Sequence, residues 1–499
     1  MSLRSSRLTR SLAIVGLSLC TVAVSAQPER PNVVFILADD LGYGDIGCFG
    51  QEKIRTPNLD RLAREGMRFT QHYSGNAVCA PSRCVLMTGL HPGHAAIRNN
   101  REIQPEGNEP LPAAAVTIAE LLKKQGYATA AFGKWGLGPP DSEGDPLNQG
   151  FDRFFGYKCQ RHAHNHYPTY LWDNNRRVSL DNPSFAAHAK LPANADPAQA
   201  ESYAGFSGKV YAPDLFRREA LKFIDENSAK SFFLYFATTV PHLALQVPED
   251  SLREYEGKFP EEPYQGAKSY LPHRTPRAAY AAMVTRMDRD IGDILKKLQD
   301  LGLDERTIIV FSSDNGPLYD KLGGTDCEFF SSAGRFNGRK GSLYEGGIRV
   351  PTIVRWKGHI AANSMSDRVT GFEDWLPTIL ELIGAGKYMP VKIDGISFAP
   401  TLLGKSQEPR AFLYREFPGY DGWQMVRVGD WKAVRRNLSP AKRQAPVIRT
   451  ELYDLRKDEG ELNNVALENP KVVAALERLM REQHTRSRLF PIAALDARK

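Results

Sequence analysis

Asn32-Val33-Val34-Phe35-Ile36-Leu37-Ala38-Asp39-Asp40 decides the architecture. An unbroken apolar run closed by acidic residues suits a strand buried on both faces, as the central strands of a parallel sheet are. The same texture returns at Tyr127 to Phe132, at Ser231 to Thr238 and at Thr307-Ile308-Ile309-Val310-Phe311. Helical signals lie between these runs. Thr56-Pro57 sets a capping residue before a proline at the first helical position, Leu59, Leu62 and Ala63 give the apolar stripe, and Gly66 ends it. Thr117 and Glu120 form a capping box for a helix ending near Gly126. Met283, Met287, Ile291, Ile294 and Leu298 mark one face of a helix running to Gly302. This alternation predicts an α/β fold: a large domain with a mostly parallel, mixed sheet flanked by helices.

Past residue 400 the texture changes. Phe412 to Phe417, Trp423 to Val428, Trp431 to Val434 and Glu451 to Leu455 read as short strands with polar turns. Asn469-Pro470 then opens a helix with Val472, Leu476, Leu479 and Met480 on one face. We expect a catalytic domain over residues 27–400 and a small subdomain over 401–499, with an antiparallel sheet and a terminal helix. Pro183 to Ser207 and Glu249 to Pro276 read as long excursions from the core, a place where function often sits.

The chain has 499 residues, 42% hydrophobic and 25% charged, which excludes collagen-like, coiled-coil and wholly disordered classes. Arg4, Arg7 and Arg10 precede an apolar run from Leu12 to Val24, and Val24-Ser25-Ala26 offers a cleavage site. That three-part pattern predicts a signal peptide over residues 1–26, hence export to the periplasm or outside the cell. An uncleaved N-terminal anchor is the alternative. Leu19 before Cys20 argues against a lipid anchor, and no later run is long enough to span a membrane. Losing three arginines takes the net charge from +7 to +4, and no basic arm suggests nucleic acid. Cys48, Cys79, Cys84, Cys159 and Cys327 remain, an odd set in which at least one thiol is special.

Ligands of open α/β sheets bind beyond the carboxyl ends of the strands. Asp39 and Asp40 sit at one such end, Asp314 and Asn315 at another. Hard oxygen donors suit Ca²⁺, with Mg²⁺ as the lesser choice, whereas the alternative is that each pair caps a turn.

Cys79-Ala80-Pro81-Ser82-Arg83, followed by Thr88-Gly89, is the most specific string. It resembles the signature of type I sulfatases, in the alkaline-phosphatase-like superfamily. Further segments resemble that family in order: Pro31 to Gly42, Gly133-Lys134-Trp135, Pro241-His242, Ser313-Asp314-Asn315-Gly316, Lys340 to Pro351 and Glu451 to Leu455 with Asn463-Asn464 after it. The resemblance implies that Cys79 is converted to Cα-formylglycine by a formylglycine-generating enzyme, a transient partner. It implies a metal site of Asp39, Asp40, Asp314, Asn315 and residue 79. It also implies a hydrated aldehyde as nucleophile toward a sulfate monoester, with Lys134 and Lys340 on sulfate oxygens, Arg83 biasing the nucleophile and His242 protonating the leaving oxygen.

One departure stands out. The family usually has His two positions after the motif lysine, and this chain has Gly136. Downstream, His162, His164 and His166 alternate, which in an extended segment puts all three on one side. We expect His164, or failing that His162, to take the missing role, against a metal clip or polar loop as the alternative. His162, His166 and Arg98 are expected to meet substrate, with Asn99 and Asn100 on sugar hydroxyls and Tyr167, Tyr170 and Trp172 offering faces to a sugar ring. Similar bacterial sulfatases act on sulfated sugars, so the resemblance implies sulfated galactose or N-acetylgalactosamine units of algal polysaccharides or glycosaminoglycans. Two other readings compete: a phosphomonoester or phosphonate hydrolase of the same superfamily, and an inactive relative that binds sulfated glycans.

Overall fold

The computed structural model describes residues 30–439 and 448–497, so the expected signal peptide lies outside the described residues. Asn32–Asp39 is buried along its whole length, as an apolar run closed by carboxylates requires. It pairs in parallel with Phe232–Pro241 on one side and Thr307–Ser313 on the other. Ala128–Lys134 and Arg153–Tyr157 continue the parallel run. Outer strands extend it to ten: Thr352–Arg355, Met67–Phe69 and Ser364–Ser366 at one side, Tyr170–Asp173 and Arg176–Ser179 at the other. Thr352–Arg355 and Tyr170–Asp173 run antiparallel to their inner neighbours, which makes the sheet mixed.

Alternate residues of the first strand feed two cores. Val34, Ile36 and Ala38 join Met283, Met287, Ile291 and Ile294 of the helix Pro276–Asp300. Val33, Phe35 and Leu37 face Val85, Trp375 and Leu376 on the other side. Period-2 alternation within a wholly apolar strand therefore covers the sheet on both faces. The capping box at Thr117 and Glu120 forms as its spacing predicts, opening the helix Ile118–Lys124.

The C-terminal run builds a four-stranded antiparallel sheet of Leu413–Phe417, Trp423–Val428, Trp431–Arg435 and Thr450–Asp454. The helix Pro470–Gln483 lays Leu476 and Met480 against Tyr414, Val426, Ala433 and Leu452. Buried ion pairs tie this sheet to two short helical turns, Glu345–Ile348 and Phe372–Asp374: Lys432 to Glu345 at 2.8 Å and Arg415 to Glu373 at 2.8 Å. Among the described residues no helix is long and apolar enough to cross a membrane. All five described cysteines are free thiols.

Candidate active site

Strand ends assemble the site. Asp39 closes the first strand, Asp314 and Asn315 follow Thr307–Ser313, Lys134 closes Ala128–Lys134, and His242 follows Phe232–Pro241. The register aligns Ala38 with Ser313, so both acidic pairs emerge at one level. Cys79 is the first residue of the buried helix Cys79–Thr88, whose positive end faces this edge. Val78 offers no side-chain cap. Asn100 does so instead: its Oδ1 accepts the Ala80 N–H at 3.0 Å.

Two ammonium groups converge on Cys79. Lys134 Nζ and Lys340 Nζ each lie 3.4 Å from Cys79 Sγ. Lys134 also donates to Asp39 Oδ2 at 2.6 Å, and Lys340 to Asp40 Oδ2 at 2.8 Å. The Cys79 thiol points at Asp39 Oδ1, 3.4 Å away. Arg83 grips Asp314 Oδ2 through Nε at 3.0 Å and Nη2 at 2.8 Å. Asn315 Nδ2 donates to Asp40 Oδ1 at 2.7 Å, and the Asp40 N–H donates to Asp314 Oδ1 at 3.1 Å. Eight of the expected residues (Asp39, Asp40, Cys79, Arg83, Lys134, Asp314, Asn315 and Lys340) thus meet at one point, and His242 Nε2 stands 3.5 Å from Asp40 Oδ2.

Burial sets the electrostatics. It would raise the Asp39 carboxyl, but Lys134, His242, Arg83 and Lys340 outweigh it and hold Asp39 well below the ordinary range. Asp314 is pushed up to about 6, by burial first and then by the Asp39 charge. Burial raises the Cys79 thiol, with Asp314 and Asp39 adding to it, so position 79 is a poor thiolate here. Burial and the two lysines hold His242 well below the usual imidazole range.

The donors fit a hard cation. Three carboxylates and a carboxamide converge within one wholly buried cluster. Asn315 Oδ1 has no hydrogen-bond partner, an orphaned buried oxygen that a cation would satisfy. Ligand atoms of Asp39, Asp40, Cys79 and His242 all lie within 4.8 Å of one another. An imidazole at this point was not in the expected donor set.

The histidine run departs from expectation. His162–His164 is a turn of 3₁₀ helix, so the three rings do not share a side. His164 stacks on His242, ring centroids 5.0 Å apart and 17° from parallel. His162 turns to Glu106, its Nδ1 3.5 Å from the carboxylate. His166 is fully buried behind the site: its Nε2–H donates to the His242 carbonyl at 3.0 Å. It props the backbone of His242, a role that leaves it no reach to substrate.

Other expected contacts are also spent inside the protein. Arg98 is buried and donates to Glu416 at 2.6 Å and to Thr485 at 2.6 and 2.8 Å, so it holds the C-terminal segment rather than an open pocket. Asn99 and Asn100 are not spent in this way: Asn99 is half-buried, its Oδ1 accepts from the neighbouring Asn100 N–H, and Asn100 is exposed. Tyr170 and Trp172 both donate to Glu106, and the Arg177 guanidinium lies over their rings at 4.6 and 5.1 Å. Tyr167 is buried against Tyr211. Tyr167 and Trp172 are buried, and Tyr170 is half-buried. Sequence reasoning missed His188 and Tyr270, which pack on His164 at 5.3 and 5.1 Å. Both come from the two excursions, where no local pattern marks them. It also missed Gln160, whose side chain stands over Gly136.

Residues 31–385 match the family model described as Sulfatase. Residues 334–488 match that described as N-sulphoglucosamine sulphohydrolase, C-terminal. Human arylsulfatase A is 32% identical, over 93% of this chain and 90% of its own. The N-acetylgalactosamine-6-O-sulfatase of Bacteroides thetaiotaomicron is 29% identical, over 92% of this chain and 94% of its own. The crystal structure of Ps i-CgsB in complex with k-i-k-neocarrahexaose superposes with a TM-score of 0.71 at 26% identity, covering 91% of this chain and 92% of that one.

Proposed function

Because the chain belongs to the sulfatase family and is a sulfuric ester hydrolase, we propose that it acts, after export, on sulfate monoesters of carbohydrates. A relative named N-acetylgalactosamine-6-O-sulfatase, and a neighbour crystallised with k-i-k-neocarrahexaose, support a sugar substrate, which we take to be built on galactose or N-acetylgalactosamine units. The observation that carries the reading is the convergence of Lys134 and Lys340 on Cys79 Sγ at 3.4 Å each. Two fixed cations beside one atom suit an anion whose oxygens stay negative throughout transfer.

Oxidation of Cys79 to formylglycine would supply, as the hydrate, an oxygen nucleophile that the high thiol pKa denies to cysteine itself. A Ca²⁺ ion held by Asp39, Asp40, Asp314 and Asn315 would supply Lewis-acid stabilisation of the sulfate oxygens. The chain's own residues do the rest. Lys134 and Lys340 hold and neutralise sulfate oxygens, and their ion pairs with Asp39 and Asp40 aim them. Arg83 fixes Asp314 from below and ties the helix carrying residue 79 to the metal edge. His242 donates its Nδ1–H to the Leu243 carbonyl at 2.6 Å, which leaves Nε2 as the ring nitrogen turned to the reacting atoms. His164 stacks on that ring, centroids 5.0 Å apart, and we assign it to the departing sugar oxygen. We infer a catalytic domain ending near residue 400, with the small sheet buttressing the Lys340 segment.

The test is the mass of the peptide containing residue 79, measured on protein co-expressed with a formylglycine-generating enzyme. The reading expects the aldehyde and calcium-dependent sulfate release. An unconverted thiol together with sulfate release would refute the nucleophile. Conversion with release of phosphate from aryl phosphate, and no sulfate from any ester, would favour the phosphomonoesterase reading.

A further inference from the structure

His188 lies in the stretch of Pro183 to Ser207, outside every motif of the site. Its ring nevertheless touches the site through one atom. His188 Nε2 is 3.2 Å from His164 Nδ1. Its other nitrogen, Nδ1, receives the backbone N–H of Tyr270 at 3.0 Å and lies 2.7 Å from Ser269 Oγ. A backbone N–H can only donate, so His188 Nδ1 is an acceptor and the proton of the neutral ring sits on Nε2. That proton points at His164 Nδ1, which must then accept. The neutral His164 ring consequently carries its own proton on Nε2, on the opposite edge of the imidazole. Burial, His242 and Lys134 hold His164 well below the usual imidazole range, so its Nε2–H serves as a hydrogen-bond donor and not as an acid.

Two imidazoles therefore lie face to face with opposite assignments. His242 gives its Nδ1 proton to Leu243 O and keeps a bare Nε2. His164 keeps Nδ1 bare under His188 and presents Nε2–H. Tyr270 fixes the arrangement: its ring packs on His164 at 5.1 Å and on His188 at 4.8 Å, while its N–H sets the His188 tautomer. Neither His188 nor Tyr270 needs to touch substrate for this to hold.

We infer that His188 is a positioning residue for the sulfatase reaction: it locks the hydrogen of His164 on Nε2, making that nitrogen a hydrogen-bond donor for the departing sugar oxygen. The inference rests on the reading of His164 as a group that meets the leaving oxygen. The chain Tyr270 N–H to His188, His188 Nε2–H to His164 delivers no proton to substrate. It selects which of two near-equal tautomers His164 adopts, the task that an orienting partner performs for an active-site histidine. It also explains how a chain with Gly136 can place a donor at this point from a different segment.

The experiment combines kinetics with a tautomer readout on the full chain. Wild type, His188→Ala and His188→Gln are assayed on an aryl sulfate and on a sulfated monosaccharide. Losing the lock leaves His164 in the wrong tautomer much of the time, so His188→Ala should lower kcat about tenfold, the scale of one hydrogen bond, with KM little changed. Glutamine retains an N–H donor and should restore kcat to within about threefold of wild type on the same scale. In parallel, long-range ¹H–¹⁵N spectra of ¹⁵N-histidine-labelled protein, with His164 assigned by its loss in His164→Ala, should show Nε2–H in wild type and a mixture in His188→Ala. Unchanged kcat in His188→Ala, a glutamine variant as slow as the alanine one, or an Nδ1–H signal for His164 in wild type would each overturn the inference. If neither variant folds, the wild-type spectrum decides alone. If wild type releases sulfate from no ester, the proposed function fails while the spectrum still reports on the lock.

Discussion

Gln160 occupies the space that a side chain at Gly136 would need. A Cβ on Gly136 would lie 2.7 Å from Gln160 Nε2 and 3.0 Å from its Cγ, and the Gly136 backbone is left-handed at φ +76°. The glycine two residues past Lys134 is therefore half of a packed pair, and the carboxamide from another segment is the other half. Gly136→Ala should cost about 1–3 kcal/mol, from overpacking together with the left-handed backbone. Thermal melts of Gly136→Ala and of Gly136→Ala with Gln160→Ala check this. The double variant should recover part of the loss; equal melting temperatures for wild type and Gly136→Ala would remove the argument.

The Lys340 segment depends on the small sheet. Lys432 and Glu345 pair at 2.8 Å with neither side chain exposed, and Tyr73 Oη also donates to Glu345 at 2.6 Å. Lys432→Ala would take the shared cation from two buried carboxylates, Glu345 and Glu461, leaving Glu345 only Arg349 at 3.2 Å. We expect a loss of about 3–5 kcal/mol in denaturant melts. Turnover at a temperature where the variant stays folded should fall as well, because Glu345 lies five residues from Lys340. A stable variant with full activity would show that the sheet does not hold the segment.

Acid sensitivity follows from His72. The ring is wholly buried, its Nε2 accepts the Trp375 indole N–H at 3.1 Å, and its Nδ1 lies 2.7 Å from Thr370 Oγ1. Burial pushes its pKa down to about 3, against about 6.5 in an unfolded chain. The folded pKa is the lower one, so the unfolded state takes up a proton first. Stability is full above pH 6.5 and falls as the pH drops from there toward 3, by up to about 1.4 kcal/mol per pH unit from this one group. Urea melts between pH 7.5 and 5 should show a shallower pH slope in His72→Gln than in wild type. Parallel slopes would contradict the assignment.

A cation at the acidic edge should stabilise the fold. Protein stripped with a chelator should gain about 2.7 kcal/mol when Ca²⁺ is restored to a hundred times its Kd. Asn315→Leu, which removes the orphaned oxygen, should weaken that response. Differential scanning calorimetry against calcium concentration reads both, and an identical response in the variant would exclude Asn315 as a donor.

Much of this was legible in the sequence, and for a stated reason. Asn32–Asp39 and Thr307–Ser313 are central strands, buried on both faces, so their composition alone marks them, and the carboxylates that end them fall at the site by topology. Outer strands such as Ser364–Ser366 and Tyr170–Asp173 carry no such signal, because half-covered short strands take their conformation from their neighbours. The histidine run misled because alternation implies one shared side only in an extended chain, and three residues of 3₁₀ turn undo it. Arg98, Tyr170 and Trp172 misled for another reason. Their partners Glu416 and Glu106 lie far away in sequence, or belong to no motif, so nothing local shows that these side chains are already satisfied.

The central claim is that residue 79, flanked by Lys134 and Lys340, releases sulfate from a sugar. The direct measurement is sulfate release from a panel of regioisomeric sulfated galactose, N-acetylgalactosamine and N-acetylglucosamine monosaccharides, with an aryl sulfate alongside and calcium present. Protein carrying the converted residue 79 should turn over at least one isomer, and Cys79→Ala should turn over none. Sulfate release by Cys79→Ala at the wild-type rate, or silence of the converted protein on every sulfate ester, would contradict the account.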